Sequence, residues 1–404
     1  MSAEQTDVLV VGGGLVGLAT AMHLQAMQPQ LKISLCEKND QLATQQSGHN
    51  SGVLHAGIYY QPGSLKARLC VEGKQALIEF CERHAVPVIR CGKVIVANNA
   101  SESEQLESLH DRGSNNGVPD LQLLSQRELR EVEPHVRGLK ALYSPQSAIV
   151  DYRLVAAAYA KDFASGGGQV HLQTEFVSAG PLANQRRVVT TNAEFDARFV
   201  INCAGLQSDL VAQKMGTDPG LRIIPFRGEF LGLNQNRRHL VNGLIYPVPN
   251  PDLPFLGVHI TTMIDGSVEV GPNAILATRR EGYSLGDFSL KEFANTLSYP
   301  GFWRLVARNF APGVAEINRI LRKSVFAENA RQLVPDIADE DLIPLRAGVR
   351  AMAVDRGGNL IDDFRIEEAP GAIHVLNAPS PAATSSLMIG KFIAGKAELR
   401  INAD

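Results

Sequence analysis

A glycine-rich turn after the apolar run Val8–Val11, a second buried-strand pattern at residues 199–203, and a β-rich stretch between Ile223 and Gly271 predict an α/β protein. The expected architecture is a discontinuous Rossmann-like dinucleotide-binding domain with an inserted α+β domain carrying a mixed β-sheet. The dinucleotide domain is expected from residues 1–85, 145–215 and 335–404, and the inserted domain from 86–144 and 216–334. A chain of 404 residues has room for two cores.

The elements follow in order. Val8–Val11 is β-branched and aliphatic without interruption, as in a parallel strand buried on both faces. Residues 15–28 read as an apolar helix ended by Pro29, and residues 31–37 as the next strand, completing a βαβ unit. Residues 47–61 are polar and rich in glycine and histidine, a loop. Residues 65–84 read as an amphipathic helix. A strand is expected at 93–97 and helices at 102–112 and 125–132. A further helix is expected at 151–164, with Asp151 as its N-cap. The strand at 199–203 ends in Ala204-Gly205, and a helix is predicted from Ser208. Strands with turns fill 223–233 and 241–271. Helices broken at Pro300 and Pro312 fill 290–325. Strands are expected at 359–362 and 373–376, then a proline- and serine-rich turn and a last helix from about Thr384.

Bulk properties narrow the function classes. Hydrophobic residues make up 45% and charged residues 20%, the composition of a globular chain. A net charge of −3 supplies no field to attract nucleic acid or an anionic membrane, although a local basic pocket is still allowed. Five cysteines, an odd number with no CxxC spacing, argue against a disulfide framework or a zinc site and fit a reducing compartment. No metal ligands are expected. The N-terminus has no basic region ahead of an apolar one, and the longest uncharged apolar stretch, 8–22, is short and broken by glycines. Neither a signal peptide nor a membrane span is expected. A cytoplasmic location follows, with peripheral docking on the inner membrane left open.

Gly12-x-Gly14-x-x-Gly17 lies at the strand-to-helix turn. In such a turn the first glycine allows the tight bend, the second lets the backbone approach a pyrophosphate, and the third lets helix and strand pack closely. Leu15 and Val16 open the helix, whose free N–H groups and dipole favour an anion. Glu37, followed by Lys38, ends the second strand twenty residues after Gly17, where a carboxylate can accept from a ribose 2′-hydroxyl and disfavours a 2′-phosphate. The fingerprint does not separate FAD from NAD.

Three further segments make that separation. Ser47-Gly48-His49-Asn50-Ser51-Gly52-Val53-Leu54-His55-Ala56-Gly57-Ile58-Tyr59-Tyr60 closely resembles the signature loop of the L-2-hydroxyglutarate oxidase/dehydrogenase family, within the D-amino-acid oxidase / glycine oxidase superfamily. Val200-Ile201-Asn202-Cys203-Ala204-Gly205 resembles the superfamily's strand that passes near the flavin, with Cys203 a departure from its threonine-like environment. Asn377 to Ser386, which includes Ser380, Pro381, Ala382, Ala383 and Thr384, resembles the C-terminal flavin-binding turn. The resemblance spans nearly the whole chain. It implies FAD as cofactor and oxidation of L-2-hydroxyglutarate to 2-oxoglutarate, with electrons passed to a quinone or oxygen. Covalent-flavin members of the superfamily often use a late cysteine, and this chain has none after Cys203.

Alcohol oxidation at a flavin needs a base for the hydroxyl proton, and a carboxylate substrate needs a cation. His55 and His259 are the candidates for the base, with no decisive argument between them. Arg350, in Ala347-Gly348-Val349-Arg350-Ala351, resembles the superfamily's active-site arginine and is the expected carboxylate clamp. Arg227 and Glu229 read as an ion pair. Tyr60 and Tyr246 are candidates for the substrate pocket, and Tyr59 shares their ambiguity. The donor for the second carboxylate of a 2-hydroxy dicarboxylate has no assignment. Two other classes compete with this reading: an amino-acid or amine oxidase on the same fold, and a non-catalytic FAD-binding module.

Overall fold

The computed structural model describes residues 3–182, 184–249, 257–284, 286–308 and 323–402. Strand Glu4–Val11 is central to the first sheet because it can bury both faces: Val8, Leu9 and Val10 are fully buried. It pairs in parallel with Ile33–Cys36 on one edge and Glu194–Asn202 on the other. Gln169–His171 and Ala372–Asn377 extend the parallel array outward on either side. A hairpin, Phe176–Leu182 with Gln185–Thr190, adds antiparallel strands along the first half of Glu194–Asn202. The sequence pattern did not predict this hairpin. Helices Leu15–Met27, Tyr152–Ser165 and Ser386–Ile401 pack together over one face through Leu18, Ala19, Tyr159, Phe163 and Ile393. Asp151 does cap its helix, accepting from the Arg153 N–H.

The second sheet is mostly antiparallel. Its neighbours run Ile275–Leu276, Leu221–Leu233, Val268–Gly271, His259–Thr262, Leu244–Pro247, Lys93–Ala97, Lys140–Ser144 and Gln122–Ser125. The single parallel pairing in this order joins Leu244–Pro247 to Lys93–Ala97. Strand Leu342–Asp355 lies against the full length of Leu221–Leu233, placing Phe226 opposite Arg350 and Gly228 opposite Gly348. This corrects the expected start of the third dinucleotide segment at residue 335. The chain crosses the second sheet before it returns to the first at Arg365–Ala369. The physical reason is that a long antiparallel partner, distant in sequence, satisfies the backbone of Leu221–Leu233, and no local pattern announces it.

Other expectations also shift. Residues 359–362 make only an isolated bridge, Leu360 to Val354, and the strand there is Arg365–Ala369. The last helix begins at Ser386 rather than Thr384. Helices Leu290–Leu297 and Pro300–Arg308 break at Pro300 as expected, whereas the expected break at Pro312 and the segment Pro254 to Leu256 lie outside the described residues.

Candidate active site

The two sheets face each other across a cavity of about 850 Å³. At one end lies the glycine turn. Gly12 has φ +110°, and a Cβ there would sit 2.5 Å from the Cys203 carbonyl oxygen, so only glycine lets the two strand ends meet. Gly14 caps the first helix without a side-chain acceptor, and the Ser47 hydroxyl accepts from the Leu15 N–H at 3.0 Å. Gly14, Leu15, Val16 and Ser47 all line the cavity. Gly17 does not; it packs behind the turn on the Gly12 carbonyl.

Glu37 lines the same end. Its carboxylate accepts from Gly13 N–H at 2.8 Å and Asn39 N–H at 3.0 Å, which fixes the acid beside the turn. Lys38 also lines the cavity and is paired with Glu281. Ala204 and Gly205 follow the neighbouring strand into the wall.

The signature loop crosses the middle. Asn50 holds the loop's own shape: its amide donates to Gln46 and Ser47 carbonyls at 3.0 and 2.8 Å, and its oxygen accepts from Gly52 N–H. His49 stacks on Tyr283 with 4.5 Å between centroids. A Cβ at Gly348 would lie 2.5 Å from the His49 carbonyl oxygen, so the glycine lets strand Leu342–Asp355 press against this loop. His49, Asn50 and Ser51 line the cavity, whereas Gly52 lies outside it.

The C-terminal turn closes the wall with Ser380, Pro381, Ala382 and Ala383. Among the described residues, the Ala383 and Thr384 N–H groups find no protein acceptor. Thr384 itself is fully buried and off the cavity: its hydroxyl accepts from the His55 N–H at 3.0 Å and lies 3.1 Å from the Tyr152 hydroxyl. It therefore ties the turn to the signature loop. Gly17, Gly52 and Thr384, expected among the cofactor-binding residues, do not line the cavity; Gly17 packs helix on strand, as its place in the turn implies.

At the far end the second sheet presents His259, Tyr246 and Arg350, joined by His55, Tyr59 and Tyr60 from the loop. His259 is 5% exposed and stacks on Tyr246 with 4.1 Å between centroids. Its Nδ1 lies 3.0 Å from the Gly257 carbonyl, which can only accept. Nδ1 therefore carries the proton and Nε2 keeps its lone pair. Burial pushes His259 down to about 3, with Arg350 and Lys93 adding to the effect. Burial likewise pushes His55 to about 3, helped by Lys93, His259 and Lys66. Both imidazoles are neutral at ordinary pH. Burial also lowers the Arg350 guanidinium and raises the Tyr246 phenol. Arg227 and Glu229 pair at 2.8 Å and do not line the cavity.

Sequence reasoning missed Lys93, Lys66 and Arg112. Lys66 and Arg112 line the cavity; Lys93 lies behind Tyr59 and Tyr246. The only hint for Lys93 was a lysine opening an otherwise apolar strand, Lys-Val-Ile-Val-Ala.

The buried histidines make acid stability predictable. His259 and the fully buried His374, pushed by burial to about 4, stay neutral in the fold. Both folded values lie below the ordinary 6.5, so the unfolded chain binds more protons as the pH falls beneath 6.5. Stability is fully present above that value and declines below it. A loss of about 4 kcal/mol between pH 7 and 5 is expected from the two groups, and urea midpoints across that range will measure it. A flat midpoint would contradict the neutral burial.

The fold and cavity together define a flavin-dependent oxidoreductase. A family model described as FAD dependent oxidoreductase matches residues 7–395. The L-2-hydroxyglutarate dehydrogenase of Indibacter alkaliphilus is 46% identical over 385 residues, covering 95% of this chain and 96% of the relative. The enzyme of that name from Escherichia coli strain K12 is 43% identical, covering 97% and 93%. Among solved structures, FAD-bound L-alpha-glycerophosphate oxidase from Mycoplasma pneumoniae superposes with a TM-score of 0.80 at 26% identity, covering 99% and 95%. Glycine oxidase from Geobacillus kaustophilus shares the fold, with a TM-score of 0.73 at 18% identity, covering 98% and 96%. The chain belongs to the L-2-hydroxyglutarate dehydrogenase family of FAD-dependent oxidoreductases.

The cofactor is FAD, and the residues present fit it. The start of the first helix, where Gly14, Leu15 and Val16 line the cavity, suits the pyrophosphate, Glu37 the ribose, and the unpartnered Ala383 amide the polar edge of the flavin.

Proposed function

We propose that this protein oxidises L-2-hydroxyglutarate to 2-oxoglutarate. One observation carries the reading: a half-buried arginine, Arg350, and an imidazole whose Nε2 keeps its lone pair, His259, open onto the same cavity as the glycine turn. Bound FAD supplies the acceptor for the hydride that leaves C2. Arg350 holds the carboxylate next to C2, and its planar fork fixes the orientation of the alcohol. His259 Nε2 takes the hydroxyl proton as the C2–O bond becomes a carbonyl, and Gly257 holds its Nδ1–H throughout. Tyr246 backs the imidazole and keeps water off that face. His55 lines the same cavity and is the second candidate for the base. Tyr60 completes the wall. Quinone or oxygen takes the electrons. No described helix is long and apolar enough to cross a membrane.

The test is anaerobic titration of the purified yellow protein with L-2-hydroxyglutarate, glycine and sarcosine. Bleaching of the flavin by the hydroxy acid alone is expected. Bleaching by an amine alone would assign the protein to the amine oxidases of the same fold, and no bleaching by any of the three would leave a binding module.

A further inference from the structure

A second cavity of about 320 Å³ adjoins the main one. That volume lies at the lower end of the range that holds small ligands. Ala351, Met352, Asp362, Asn377 and Pro379 line both cavities, so the two meet where strand Leu342–Asp355 faces the C-terminal turn. Ala353, Leu360 and Ile361 line the second alone.

The wall of this cavity is tied in place from three sides. The Asn377 amide donates to the Ile361 and Asp363 carbonyls at 2.7 and 3.0 Å. The Ile361 N–H donates to the Ala353 carbonyl at 2.9 Å. The Lys66 ammonium donates to the Asp362 carboxylate and carbonyl, each at 2.8 Å.

Charge distinguishes the two spaces. Lys66, Arg112 and Arg350 line the main cavity, and none of them lines the second. The charged residue in the second lining is Asp362, whose side chain is 92% exposed, so this cavity reaches solvent beside a carboxylate. Lys66 is the cation at that boundary, and Asp362 already answers it. Both amide hydrogens of Asn377 are spent, which leaves the lining without a free side-chain donor. An anionic hydroxy acid entering here would lose water and find neither a cation nor a donor in return. An uncharged ring would find Met352, Leu360, Ile361 and Pro379.

We propose that the second cavity admits the electron acceptor, an uncharged quinone ring, by a route separate from that of the substrate. The assignment rests on the function proposed above and names both the class of oxidant and the residues that receive it. Two electrons and one proton pass from reduced flavin to the quinone, a second proton comes from solvent, and the product leaves as the hydroquinone. Because the routes differ, substrate and acceptor need not exclude each other.

Duroquinone is the probe, since its four methyl groups leave no ring position open to thiols. In anaerobic stopped-flow, Leu360→Trp should slow reoxidation of the reduced holoenzyme by duroquinone about tenfold or more, while reduction by L-2-hydroxyglutarate stays within about twofold. Ile361→Trp serves if the first variant fails to retain FAD. Equilibrium dialysis of duroquinone against the oxidised holoenzyme gives a readout free of turnover. Binding should persist in saturating glutarate and should fall in the tryptophan variant. Charge is tested with the duroquinone analogue that carries an acetate group in place of one methyl. Wild type should prefer duroquinone, and Asp362→Asn, which frees the Lys66 charge, should narrow that preference. Displacement of duroquinone by glutarate, or unchanged reoxidation in a tryptophan variant that holds FAD, overturns the separate route. So does a holoenzyme that oxygen reoxidises and duroquinone does not. A flavin that L-2-hydroxyglutarate fails to bleach would defeat the proposed function instead, and reduction by dithionite still allows the reoxidation and dialysis arms to be read.

Discussion

Replacing His259 with glutamine should lower kcat on L-2-hydroxyglutarate by about 10²–10⁴-fold, the range for loss of a positioned general base, while FAD stays bound. Glutamine preserves much of the volume on Tyr246 and can still donate to the Gly257 carbonyl, so the loss isolates the Nε2 lone pair. His259 is favoured over His55 because its proton is pinned on Nδ1 by a group that can only accept. His55 has a backbone N–H donating to the Thr384 hydroxyl and a carbonyl accepting from the Cys70 thiol, so its main chain is fixed with no such constraint on its ring. The check is the rate of anaerobic flavin reduction in His259→Gln and His55→Gln side by side. A loss under tenfold in His259→Gln with a large loss in His55→Gln would transfer the role to His55.

A second large effect concerns stability. Asp209 and Arg280 form a buried ion pair, with relative exposures of 0% and 3%. The Asp209 carboxylate accepts from the Arg280 guanidinium at 2.8 Å, from Ile223 N–H at 3.0 Å and from Leu210 N–H at 2.9 Å. Arg280 also donates to the Leu206 carbonyl. Asp209 therefore ties helix Ser208–Lys214, which follows the first sheet, to strand Leu221–Leu233 of the second through Ile223 and, through Arg280, to the segment after strand Ile275–Leu276. Asp209→Ala leaves a guanidinium in the interior without its counter-charge, and about 3–5 kcal/mol of stability should be lost. Asp209→Ala combined with Arg280→Met should recover a large part of it, because no buried charge is then left unpaired. Urea unfolding of the three proteins decides the matter. A single variant as stable as the parent would mean the pair contributes nothing. A double variant no better than the single one would place the effect in the lost backbone hydrogen bonds.

The glycine turn was readable because each of its requirements is local. A tight bend, a close carbonyl and an acid at the next strand end are set by residues within one βαβ unit. The signature loop was readable for a related reason: its composition cannot form a regular element, and its resemblance to a known family marks the positions. The roles inside the loop were less visible. Thr384 and Gly52 sit in the right segments yet support the wall from behind, because which face of a turn meets a cavity depends on what packs against the other face. Strand Leu342–Asp355 stayed hidden because its partner lies more than a hundred residues earlier, and its own pattern does not alternate cleanly. Lys93 and the Asp209–Arg280 pair were invisible in the same way: a lysine or an aspartate looks solvated until the fold removes the water.

The amino-acid sequence by itself determined the nucleotide-binding end: a buried parallel strand, the bend that follows it, the helix start and the placement of Glu37, all enforced by backbone sterics and short-range hydrogen bonding. Tertiary structure alone assembled the end of the cavity proposed to hold the substrate. There His55, Lys93, His259 and Arg350 come from four separate stretches of chain, and their chemistry depends on mutual distance and exclusion of water, since burial and neighbouring charge set the protonation of each group.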